Sequence, residues 1–127
     1  MARTVRTADK AVDVVKGVNK ATNLSKGFTS FTAFKRAIGS AGKGMEWHHI
    51  VEQAVNKGRF VANKLHNIDN IISIPKGIHG KISGFYSRKL PFTGNKTVRQ
   101  WISTKSFKQQ YEYGNKVLSK FIKQSIE

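Results

Sequence analysis

Apolar residues recur along this chain at two periods, and the changes between them mark its elements. In residues 8–22, Ala11, Val14, Val15 and Val18 stand at i, i+3, i+4 and i+7, the stripe of a short amphipathic helix with a basic outer face. Gly17 and the β-branched valines weaken it, as suits an accessory or linker helix. A second short stripe runs through Phe31, Phe34 and Ile38 until Gly39–Gly44 breaks it, and that glycine run reads as a flexible joint and a possible boundary. Residues 45–51 (MEWHHIV) have strand composition. Residues 52–69 read as a polar, irregular loop with room for one helical turn, and residues 70–74 (NIISI) as a short apolar, β-like run. Pro75 suits the first turn of a helix, and residues 76–89 place Ile78, Ile82 and Phe85 on one stripe despite Gly77, Gly80 and Gly84. After a loop at Pro91–Gly94 comes a short helical piece over 97–103 bearing Trp101. The clearest helix follows over 106–124, with Phe107, Tyr111, Gly114, Leu118, Phe121 and Ile122 at helical spacing. Two short strands among helices predict the α+β class.

Length and charge narrow the picture. The 127 residues suffice for one domain with a modest core. Lys and Arg number 23 against 7 Asp and Glu, a formal charge of +16. The excess is not a tail, since residues 1–44 carry nine bases to two acids and residues 45–127 fourteen to five. Such a field attracts polyanions, nucleic acid or an anionic membrane surface first. With no cysteine, disulfide scaffolds, cysteine zinc sites and thiol catalysis are excluded. No apolar run reaches the roughly 18–20 residues of a membrane span. The N-terminal segment lacks the apolar stretch of a signal peptide, so export would depend on something else.

All four histidines fall between positions 48 and 79: His48, His49, His66 and His79. Phosphodiester cleavage needs a base for the nucleophile, a charge for the transition state and a proton for the leaving oxygen. Neighbouring side chains on a strand point apart, so one member of the His48–His49 doublet can face a metal and the other a water. His79, on the helix after the second strand, can close the metal site. Taken singly, each histidine is as well read as a surface or satisfied core residue.

The segments GMEWHHIVEQ (44–53), HNIDNIISIPKGIHGKIS (66–83) and TVRQWISTKSFKQQYEYGNKVL (97–118) resemble the HNH, or ββα-metal, nuclease superfamily, and most of all the nuclease modules at the C-termini of bacterial polymorphic toxins. The resemblance covers residues 44–118 and implies a short β-hairpin packed on a helix, surrounded by additional helices. It divides the chain into an N-terminal linker or accessory segment, residues 1–43, and a nuclease domain, residues 44–127. It puts His49 at the general base, His48 and His79 at the metal ligands, and Asn70 at the residue that pins the hairpin and orients the base. The implied cofactor is one divalent ion, Mg²⁺, Zn²⁺ or similar. Where many relatives carry a further histidine one turn past the helix ligand, this chain has Ser83. Glu46 or His66 is a possible third ligand; either reads equally as a local hydrogen-bonding residue, and for Glu46 that reading stands ahead. The gap also leaves room for a metal-free mechanism, two histidines acting as acid and base on RNA.

Lys76, Lys81 and Arg88, with Lys89, lie on or beside the candidate catalytic helix, where cations hold phosphate backbone without reading sequence. Arg99 is a candidate transition-state cation or a structural ion-pair partner. Tyr86, Trp101, Tyr111 and Tyr113 can stack on bases, but read mainly as packing residues. The leading expectation is a toxin endonuclease delivered into a target bacterium as part of a larger protein and acting in its cytoplasm. DNA stands slightly ahead of RNA as substrate, and a cognate acidic immunity protein is the expected partner. The alternatives are an RNase toxin, a non-enzymatic basic module that coats nucleic acid, and a membrane-active peptide-like toxin.

Overall fold

The computed structural model describes residues 26–126. The stripe over residues 8–22 lies outside them. A two-stranded antiparallel sheet sits at the centre: β1 (Met45–His49) pairs with β2 (Ile71–Pro75), Met45 opposite Pro75 and His49 opposite Ile71. Helix α1 (Phe31–Ile38) precedes the sheet, and a short helix α2 (Ala62–Leu65) lies in the connection between the strands. Helices α3 (Lys76–Tyr86), α4 (Val98–Ile102) and α5 (Phe107–Ile126) follow. The chain is thus α+β, a hairpin packed against α3 with further helices around it, as the sequence predicts. Among the described residues no helix is long and apolar enough to cross a membrane.

Both faces of the sheet are covered, and the two-residue strand period decides what each face meets. Residues directly opposite each other in an antiparallel pair share a face, so Glu46 and His48 lie with Ile72 and Ile74, while Trp47 and His49 lie with Ile71 and Ser73. The first face turns to α3, where Ile72 and Ile74 join Ile78, Ile82 and Tyr86 in the main core. The second turns to α1: the Phe34 ring meets Trp47 edge-on at 5.0 Å, and the Ser73 hydroxyl donates to the Ala41 carbonyl at 2.7 Å. This explains why residues 71–74 are buried throughout and show no alternation in sequence.

Helix α1 starts at Ser30, whose side chain caps Ala33 N–H, and ends at Gly39, whose φ of 97° favours glycine. The glycine segment after it is tied to the sheet. Trp47 Nε1 donates to Gly39 O at 3.1 Å, and Lys76 N donates to Gly44 O at 3.0 Å. Residues 26–43 therefore pack with the residues that follow them.

Helix α3 keeps its form although three glycines at about 1 kcal/mol each oppose it. A Cβ at any of the three would meet no other described residue within 4 Å, and the stability comes from the buried stripe. That stripe runs at four-residue steps through Ile78, Ile82 and Tyr86, with Phe85 only half-buried, and the helix stops at Tyr86, not at residue 89. Helices α4 and α5 open with reciprocal capping pairs, Thr97 with Gln100 and Ser106 with Gln109. Along α5, Phe107, Tyr111, Leu118 and Ile122 are buried, and Gly114 brings the helix backbone against residue 50, directly after β1.

A Cβ on Gly114 would lie 2.4 Å from the Ile50 carbonyl oxygen. Gly114→Ala gains about 1 kcal/mol in helix propensity. Overpacking costs about 1–3 kcal/mol and falls here on backbone, which cannot swing aside. The clash wins, and thermal denaturation followed by circular dichroism will show a lower Tm. An unchanged or raised Tm would mean that α5 does not seat on the end of β1.

Candidate active site

The pleat of β1 separates the histidine doublet. His48 points to α3, where its ring meets His79 edge-on at 5.4 Å between centroids. His49 points to the other face, where its Nε2 lies 3.1 Å from Nδ1 of His66 and its ring meets Phe31 edge-on at 4.9 Å. The strand ends immediately afterwards, yet both histidines border one opening. A cleft of about 400 Å³ is lined by His48, His49 and His79, with Phe31, Trp47, Glu52, Gln53, Ala54, Ser83 and Arg99.

Asn70 makes this turn possible. Fully buried at the head of β2, it accepts Val51 N–H through Oδ1 at 2.9 Å and donates through Nδ2 to Val51 O and Leu65 O. With the Ile50 N–H donating to Asn70 O at 2.8 Å, both ends of the long connection are clamped to one side chain. Its bonds pin the hairpin, and they go to backbone groups, not to an imidazole. His49 takes its partner from His66 instead.

Burial sets the state of the doublet. Loss of hydration is the main cause lowering the His48 pKa to about 3, with His79 and then His49 adding repulsion. His49 is lowered to about 3 by burial first, then by His66 and His79, and His66 is lowered by burial and by Lys57. At neutral pH these rings are uncharged and keep a lone pair, the form that both a base and a metal ligand require.

The His48–His79 pair meets part of the requirement for a divalent ion. His48 Nε2 is buried with no hydrogen-bond partner, a cost of about 1–3 kcal/mol that a ligand would remove. His79 Nδ1 lies 2.6 Å from Glu46 Oε1, leaving Nε2 as its remaining nitrogen, the carboxylate–histidine arrangement that orients metal-ligating imidazoles. Glu46 is therefore bonded to a candidate ligand, and His66 stands on the opposite face of the sheet from that pair. Among the described residues no group of three or more His, Cys, Asp or Glu side chains is arranged to hold an ion. The protein offers two imidazoles, and phosphate or water would complete the coordination.

Arg99 lines the same cleft. Its guanidinium donates to both Glu52 oxygens, at 2.8 and 3.1 Å, and to Ser87 Oγ at 2.9 Å. It also reaches the Ser83 carbonyl at 3.3 Å, so its plane is fixed from three sides. Lys76, Lys81 and Arg88 are exposed on α3 or just past it, outside the cleft lining. Glu52 and Phe31 are site residues that the sequence reading passes over. Glu52 follows the doublet by three positions in an acid-poor chain, which is a usable signal, whereas Phe31 carries none beyond its helical stripe.

The lowered pKa values fix a sign for stability. Above pH 6.5 neither His48 nor His49 exchanges protons on unfolding. Between about 6.5 and 3 the unfolded rings bind protons that the folded rings refuse, so stability falls as pH drops through that window, with His66 acting in the same direction. Urea midpoints measured in chelator will fall from pH 7 to pH 5, and His48→Gln will lose its share of the slope. A midpoint flat across that interval would show that the imidazoles are not buried as described.

Comparison of the chain with protein-family models, curated proteins and solved structures returned no match, so its residues and their geometry carry the functional reading.

Proposed function

We propose that this chain is an endonuclease that hydrolyses phosphodiester bonds of nucleic acid, with one divalent ion held by His48 and His79. The observation that carries the reading is that three imidazoles, two from opposite faces of β1 and one from α3, line a single cleft. His49, uncharged and in the cleft lining, takes the proton of the attacking water. A bound ion supplies Lewis-acid stabilisation of the charge that develops on the phosphate. Glu46 orients His79, and Arg99, held flat by Glu52, adds a cation to the lining of the same cleft. The formal charge of +16 draws in the phosphate backbone without reading bases, so affinity falls steeply with salt.

The resemblance to toxin nuclease modules extends this to a toxin acting inside a target bacterium, with an acidic immunity protein covering the cationic surface in the producer. DNA is placed slightly ahead of RNA. One observation favours a second reading: His49 and His79 line one cleft from different elements, and with Ser83 in place of a third ligand two such histidines could serve acid–base cleavage of RNA without metal.

Plasmid DNA and total RNA incubated with the protein, with and without EDTA, test the reading beside His49→Ala. The expected result is cleavage abolished by EDTA and reduced by about 100-fold or more in the variant. Cleavage of RNA alone that persists in EDTA would favour the metal-free reading. Intact substrate with retarded mobility would leave a nucleic-acid-binding module.

A further inference from the structure

We propose that His66 is the positioning residue of the base: its Nδ1 accepts the Nε2–H of His49 and fixes the tautomer whose Nδ1 lone pair is free for the attacking water. The inference rests on the nuclease reading and deepens it.

The 3.1 Å contact between His49 Nε2 and His66 Nδ1 admits one hydrogen, and each neutral imidazole carries one. If His66 donated, His49 would carry its hydrogen on Nδ1 and have its Nε2 lone pair engaged, which leaves no basic nitrogen. If His49 donates, Nδ1 is free. Only the second arrangement makes His49 a base.

The surroundings of His66 suit a fixed partner. Its backbone is held at both ends, N–H donating to Ala62 O at 2.8 Å and C=O accepting from Phe28 N at 3.1 Å. Its ring lies nearly parallel to Phe31, with centroids 6.3 Å apart and planes 13° from each other, while the same phenyl meets His49 edge-on. His66 does not line the cleft and His49 does, so His66 stands behind the base. A third group that orients the base in this way is the general logic of an activated nucleophile.

In the reaction the water proton moves to His49 Nδ1 as the water oxygen bonds phosphorus. The bond from phosphorus to the leaving oxygen breaks, and that oxygen takes a proton from solvent. His49 then carries hydrogens on both nitrogens, and its Nε2–H becomes a charged donor to the His66 lone pair. The bond strengthens between ground state and transition state, so its effect falls on kcat and not on substrate binding.

The test compares His66→Leu, which removes the acceptor, with His66→Asn, whose amide oxygen can stand in for Nδ1. His66→Leu should lower kcat on the order of 10- to 100-fold with KM within about twofold, and His66→Asn should recover most of the loss. Nitrogen-15 NMR of the unmodified protein should show His49 protonated on Nε2. Unchanged kcat in His66→Leu, equal impairment in both variants, or His49 protonated on Nδ1 would each overturn the proposal. Should His66→Leu not fold, the Asn variant and the NMR tautomer still decide. If cleavage needs His49 but neither His66 variant affects it, the nuclease reading stands and this inference alone fails. If the unmodified protein cleaves neither DNA nor RNA, the nuclease reading fails and the inference goes with it.

Discussion

The alternation of side chains along β1 is the constraint on which the site depends. Two adjacent histidines on a helix would share neither a face nor a role, and in a loop neither would have a fixed direction. On a strand covered on both sides they are forced apart, His48 toward α3 with Glu46, His49 toward α1 with Trp47. A one-residue slip in the pairing with β2 would exchange them. The register is held from outside the ladder, by the Asn70 clamp at one end and by Gly114 of α5 pressed on Ile50. A structural helix contact and an amide side chain thus fix the direction of groups that neither touches.

Two of the seven acids of the chain, Glu46 and Glu52, sit where this arrangement needs them. Glu46 bonds His79 and Glu52 bonds Arg99, two residues of the cleft lining, while Asp69 reaches Lys26 at 3.9 Å. Each of the first two fixes the orientation of a functional group through a hydrogen bond. The basic residues elsewhere meet little neutralising charge, so the cationic field and the ordered site follow from one distribution of acids.

Much of the frame was legible because it rests on local periodicity. Ile78 and Ile82 announced α3, Phe107 through Ile122 announced α5, and the apolar run NIISI announced a strand, though not that both its faces are buried. The doublet also told its own story, since strand geometry alone sends His48 and His49 apart. What was not legible lies in contacts made by irregular or distant segments. The path of residues 50–70 follows no period, so nothing in the letters placed His66 behind His49. Phe31 belongs to a segment that composition marks as separate, because a glycine run looks the same whether it swings freely or is tied down through Gly39 O and Ala41 O. The pairing of Glu52 with Arg99 needed the whole chain between them to fold.

The bonds that define the site span the chain in sequence: His49 to His66 across 17 residues, Glu46 to His79 across 33, and Glu52 to Arg99 across 47. No single element contains two of the partners in any of these bonds. An extended polypeptide threaded through a narrow pore therefore carries the letters of the site and none of its chemistry. The arrangement exists only after the last of these loops has closed.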